Sequence, residues 1–215
     1  MPQVNKSFVK VVLDDSAKFL AALEELTKNA VFVGIPSTRL QRDPAPGEKN
    51  PPNNAVIGYV MENGDPDKNI PARPFLIPAV EANQKEILKR LKEIAQAGFA
   101  GNLPQIKSLR TQLGLFAQRA VQQKITDGPF QPLAQATLEA RVRRQFGKGA
   151  AGSRKGAKME LARRAAGLPA GTDLARPLID TGQLRRAVDF SIGPARNAKK
   201  SIKAMTGMWP TFTQK

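Results

Sequence analysis

Apolar residues recur with two different periods along this chain, and the alternation between them sets out its elements. FVKVVL at residues 8–13 is valine-rich and alternates at its start, which predicts a strand. Asp14, Asp15 and Ser16 offer helix caps. Phe19, Leu20, Leu23 and Leu26 then fall on one helical face, predicting a helix over residues 17–28. Residues 30–35 are apolar almost throughout and read as a second strand, expected to be buried on both faces. Residues 36–53 break the pattern with five prolines and read as a long loop, either a solvated insertion or an arm lying on a neighbouring subunit.

Residues 55–61 form a short apolar helix, with Asn54 as its expected cap. A polar turn with Gly64 and Pro66 leads into Pro-Ala-Arg-Pro-Phe-Leu-Ile-Pro at residues 71–78. Proline fixes φ and drives the residue before it out of the helical region, so this clamp is expected to be extended. Phe75 and Leu76 are the anchors such a clamp would bury, and Arg73 the charge beside them. Helical spacing predicts one helix over residues 80–96 and another over 105–126, joined by Gly98, Gly101 and Pro104 into an antiparallel pair. A turn at 127–133 precedes a helix at 134–146. A glycine-rich run, GKGAAGSRKG, follows, then a short helix at 158–166. Asp180 and Thr181 are expected to cap a short helix beginning at Gly182, and residues 188–192 read as a last strand. The expected fold is α+β, a small sheet packed by two or three long helices with extended Pro/Gly-rich arms. Residues 1–194 form one domain in this reading, with 36–53 and 141–164 as insertions and 195–215 as a basic arm.

Charge changes the picture. The net charge is +16, and nearly all of it lies in the second half: residues 1–99 hold 13 Lys/Arg against 12 Asp/Glu, residues 100–215 hold 21 against 6. The densest run is 141–164, where Arg141, Arg143, Arg144, Lys148, Arg154, Lys155, Lys158, Arg163 and Arg164 face one acid, Glu160. Phosphates of DNA or an acidic protein face could each meet such a run, and a solvated face is the third reading. The run offers no aromatic after Phe146, which argues against base stacking. In the tail, Trp209 and Phe212 form an apolar cluster in a basic setting, either a frayed end or an anchor on another subunit.

Catalytic equipment is scarce. There is no cysteine and no histidine, which removes disulfides, Cys/His zinc sites, cysteine nucleophiles and Ser-His-Asp triads. Gly147 and Gly152 have P-loop spacing, but Ser153-Arg154 replaces the Lys-Ser/Thr pair. The carboxylates of the second half are too dispersed to cluster around metal. No enzyme, catalytic residue, cofactor or metal is expected. No leader or membrane span is read from the sequence, so a cytoplasmic or particle-borne protein is expected.

Three blocks together resemble a known family. They are Glu62-Asn63-Gly64 leading to Ile70-Pro71-Ala72-Arg73-Pro74-Phe75-Leu76; residues 125–144 with Asp127-Gly128-Pro129 and Pro132-Leu133-Ala134; and Pro177-Leu178-Ile179-Asp180-Thr181-Gly182-Gln183-Leu184-Arg185. Their kind and order are similar to the neck and tail-completion (virion morphogenesis) proteins of tailed bacteriophages. The resemblance implies a structural virion protein of the head–tail joint, assembling as a homo-oligomeric ring around the DNA channel. Its implied partners are a portal adaptor or head-completion protein and the tail tube or tail terminator, with possible passing contact with double-stranded DNA and none with membrane. The implied setting is the virion neck, with host cytoplasm during assembly. Arg73, Phe75, Leu76, Trp209 and Phe212 are then expected at subunit contacts. A basic DNA- or RNA-binding protein outside any particle, and a tail assembly factor, are the alternatives.

Overall fold

The computed structural model describes residues 16–44, 49–146, 158–163, 165–168 and 176–196. The strand expected at 8–13, the glycine-rich run with Lys148, Arg154 and Lys155, the single position Arg164, and Trp209 and Phe212 lie outside the described residues. The fold is α+β: a two-stranded sheet among several long helices. In chain order the elements are α1 (Ser16–Lys28), β1 (Asn29–Gly34), α2 (Asn54–Asn63), α3 (Leu76–Ala82), α4 (Gln84–Phe99), α5 (Leu103–Asp127), α6 (Gln135–Phe146), α7 (158–163), α8 (Gln183–Ala187) and β2 (Asp189–Pro194), with β1 paired to β2. The chain divides into two compact units.

The first unit takes in α1, the later part of α4 and the earlier part of α5. Ala22, Ile94, Ala97 and Ile106 are buried there. The carbonyls that end α1 have no intrahelical partner, and a buried arginine supplies one. Arg110 Nη1 donates to Glu25 Oε1 (2.8 Å), and Nη2 donates to the Glu25 and Leu26 carbonyls (2.6 and 3.2 Å).

The second unit holds α2, α3, the later part of α5, and α6 to α8. Its core is Phe75, Ala79, Val121, Ile125, Leu178, Leu184 and Val188. Val33, Ile57, Leu76 and Phe130 pack partly buried against it. Gly114 of α5 lets the Phe190 ring approach the helix backbone, since any Cβ there would run into that ring.

Four expectations need correction. β1 is half-buried along its whole length rather than buried on both faces, because it has a single strand neighbour. The helix expected over 80–96 is two helices, α3 and α4, parted at Asn83. The Asn83 side chain donates to the Ala79 carbonyl (2.8 Å), and its N–H turns back to Val80, so the side chain competes with the helical ladder. Leu76 and Pro78 lie within the first turn of α3, so the extended clamp ends at Phe75; proline is tolerated there because its missing N–H has no partner to lose. The α2 cap is Asn53, whose side chain accepts from Val56 N–H (2.9 Å), while Asn54 is inside.

The loop after β1 is held by its own chain where it is described. Asn54 Nδ2 donates to the Arg39 and Gln41 carbonyls (3.0 and 2.9 Å). Asp43 N–H donates to Gln183 Oε1 (2.8 Å) and Gln183 Nε2 returns to the Asp43 carbonyl (3.2 Å). Arg39 pairs with Asp189 at 3.3 Å.

Candidate functional site

The three blocks meet in the second unit. Glu62, at the end of α2, reaches the start of α3: its Oε2 accepts from Phe75 and Leu76 N–H (2.7 and 2.8 Å) and its Oε1 from Ile77 N–H (3.0 Å). A helix start leaves N–H groups without partners and favours negative charge, so this one carboxylate answers both needs. Phe75, 3% exposed, drops into the core and Leu76 packs against it. Arg73 N–H donates to the Met61 carbonyl (2.6 Å), tying the clamp back to α2.

Arg73, 6% exposed, reaches the second block: Nε donates to the Gln131 carbonyl (2.9 Å) and Nη2 to the Pro132 carbonyl (3.3 Å). Burial pushes its guanidinium pKa down from the ordinary arginine value. The third block is held the same way. Arg141 of α6 donates from Nη1 to the Arg176 and Ile179 carbonyls (both 2.8 Å) and from Nη2 to the Pro177 carbonyl (3.3 Å), with Asp180 3.6 Å from Nε. Leu178, Ile179 and Leu184 of that block join the core around Phe75.

This geometry moves several residues from where the sequence put them. Arg141, expected on an exposed basic side, is 7% exposed and bonded to the 176–180 turn. A fork of parallel N–H donors suits a row of carbonyls, and that recruits it inward. Arg143 and Arg144 lie on α6 with side chains outside the described ones. Lys158 is exposed and Arg163 half-buried. Asp180 faces Arg141 rather than capping α8. The cap position belongs to Gly182, which takes φ 72°, a left-handed conformation that costs glycine little, with no side-chain cap bond. Arg73 and Phe75 make their described contacts within their own chain.

A cleft of about 160 Å³ lies over the junction, lined among others by Arg42, Asn54, Met61, Arg141, Asp180 and Gly182. Among the described residues no group of His, Cys, Asp and Glu is placed to hold a metal ion, and no helix is long and apolar enough to cross a membrane. Sequence reading missed Glu62 as a cap and Arg110 as a helix-end partner. Glu62 stands thirteen residues before Phe75, beyond any local capping pattern, so no local signal marks it.

Comparison with known proteins finds no matching family model, no matching curated protein and no matching solved structure.

The turn inside the first block carries a pH prediction. Asp65 accepts from Lys68 Nζ at 2.8 Å and from Lys68 N–H at 3.3 Å. The Lys68 side-chain bond holds the Asp65 carboxyl below the ordinary aspartate value, and the same bond raises the lysine. The aspartate contribution to stability is therefore complete above the ordinary aspartate pKa and is lost as pH falls through the lowered one. The lysine contribution is complete below the ordinary lysine pKa and is lost as pH rises through the raised one. The Lys68 side chain is exposed, so solvent screens the pair and the effect on stability is small. In an NMR titration the Asp65 carboxyl should titrate low in the wild-type chain and move up toward the ordinary range in Lys68→Ala, which keeps the bond from the backbone N–H of residue 68. An unchanged midpoint in the variant would remove this assignment.

Proposed function

We propose that the chain is a structural virion protein of the tailed-phage head–tail joint, a neck or tail-completion component that works in a ring around the DNA channel. One observation carries the reading. The three blocks that resemble the neck and tail-completion proteins each contribute to the core around Phe75, with Arg73 joining the first to the second and Arg141 the second to the third. Residues that interlock this way fix the shape of the second unit, and a fixed shape is what a protein that works by fitting between neighbours requires. In this reading the portal adaptor or head-completion protein and the tail tube or terminator are its neighbours. The tail with Trp209 and Phe212 is the anchor on an adjacent copy, and the protein acts without catalysis or cofactor.

The test is assembly. Mass photometry and negative-stain imaging of the full chain, alone and mixed with candidate portal-adaptor and tail-tube proteins, should give a closed ring that stacks on one of them. Deleting residues 195–215 should lower ring yield at least tenfold at equal concentration. A monomer that joins neither neighbour would overturn the reading.

A further inference from the structure

On α5, Arg119, Gln122, Gln123 and Thr126 follow the i, i+3, i+4, i+7 spacing of one helical face. Beside that face stands α8 with Arg185 and Arg186, both exposed. The two elements are bonded together within the second unit. Gln122 Nε2 donates to the Arg185 and Val188 carbonyls (both 3.2 Å), and Arg185 Nη1 donates to Thr126 Oγ1 (3.3 Å). Between them is a cleft of about 420 Å³ lined by Gln122, Gln123, Thr126, Asp127, Arg185 and Arg186.

The chemistry of this cleft is specific in what it offers and what it lacks. It sets two arginines, Arg185 and Arg186, against one carboxylate, Asp127, and adds amide and hydroxyl groups, while Arg119 stands one turn before Gln122 and Gln123 on the same face of α5. Among the described residues, no carboxylate is paired with Arg119 or Arg186. Among the described residues, no apolar or aromatic side chain lines the cleft. Protein partners anchor on buried apolar or aromatic side chains, and single strands stack on aromatic faces; this cleft provides for neither. Phosphate oxygens accept from arginine, glutamine and threonine alike, and a duplex backbone presents them with no demand for base contact. From Arg119 to Thr126 the helix rises roughly 10 Å at 1.5 Å per residue, close to the ~12 Å width of a major groove.

We propose that the α5–α8 cleft and the adjoining face of α5 form a sequence-independent contact for the phosphate backbone of double-stranded DNA, with Arg185 and Arg186 in the cleft and Arg119 beside it as the cations. This assigns the polyanion contact to residues other than those of the 141–164 run and does not depend on ring assembly.

The probe is a labelled 30-base-pair duplex, and the readout is fluorescence anisotropy of the full chain between 50 and 200 mM salt. Each phosphate contact adds about 0.9 to the slope of log K against log salt. Arg119→Gln with Arg186→Gln should flatten the slope by roughly 1.8, and adding Arg185→Gln by roughly 2.7. The double variant spares the Arg185–Thr126 bond, so its thermal melt should match the wild-type chain. The same slope for two unrelated duplex sequences is expected.

An unchanged slope in the triple variant overturns the proposal, as does a slope abolished by Lys148→Gln, Arg154→Gln and Lys155→Gln together. Loss of poly-glutamate binding in the triple variant with its DNA slope intact would also overturn it, making the cleft a contact for acidic protein. A chain that forms no ring yet shows the flattened slope would sink the assembly reading and leave this one standing.

Discussion

Arg141→Ala is expected to be the most damaging single change in the second unit, lowering stability by about 3–5 kcal/mol, the range for removing one partner of a buried charged cluster. The wild-type guanidinium satisfies the carbonyls of Arg176, Pro177 and Ile179 at once and stands 3.6 Å from Asp180. Alanine leaves buried acceptors without donors, at about 1–3 kcal/mol for each that water does not reach, and empties the space the side chain filled. For a chain of this size the melting temperature should fall by roughly 6–20 °C. Arg141→Lys should recover less than half of the loss, because an ammonium on a flexible stem cannot serve three carbonyls from one planar fork. Urea denaturation followed by circular dichroism measures both. DNA affinity supplies the contrast: were Arg141 a surface phosphate contact, alanine would flatten the salt slope and leave the melt unchanged. A loss under about 1 kcal/mol would mean that the 176–180 turn does not depend on the arginine.

The elements with strong periodicity were legible. α1, α5 and α6 stand within two residues of where their apolar spacing puts them, and β1 and β2 fall on the two later valine- and phenylalanine-bearing runs. The burial of Phe75 was legible too, because it is the largest of the apolar residues that the prolines of its segment hold in place. What was not legible has a common cause, a polar side chain whose partner is distant in sequence. Arg141 stands three residues after the buried Leu138, hence on the same face of α6, but a charge on an apolar face reads as its solvent edge until the facing turn is known. Asn83 looks like an ordinary helix position until its side chain is seen to take the Ala79 carbonyl. Asp180 and Thr181 are better caps than glycine by residue type, yet the chain turns through φ 72° at the next position. The candidate site follows the same rule. Its blocks could be quoted from the sequence, but that arginines from two of them lock onto backbone carbonyls required the fold.

Glu62 is the second residue on which the second unit turns, and its replacement separates charge from shape. Glu62→Ala is expected to lose about 2–4 kcal/mol. Hydrogen bonds to a charged group are worth about 1.5–3 kcal/mol net, three are removed together, and water at the opened helix start recovers part of the loss. Glu62→Gln is the sharper variant. One amide oxygen can keep the Phe75 and Leu76 N–H groups, but the amide NH₂ then faces the Ile77 N–H, donor against donor, and the negative charge at the start of α3 is gone. It should fall between wild type and Glu62→Ala. The consequence reaches Arg73, which sits between Glu62-capped α3 and the Gln131 and Pro132 carbonyls. If the carboxylate sets the path of residues 71–75, then Glu62→Ala and Arg73→Ala should couple in a double-mutant cycle by at least about 0.5 kcal/mol. Amide exchange should rise together at Phe75, Leu76 and Ile77 in Glu62→Ala. Strict additivity with exchange confined to those three amides would mean that the carboxylate only caps a helix already placed by the burial of Phe75, and that the prolines alone shape the clamp.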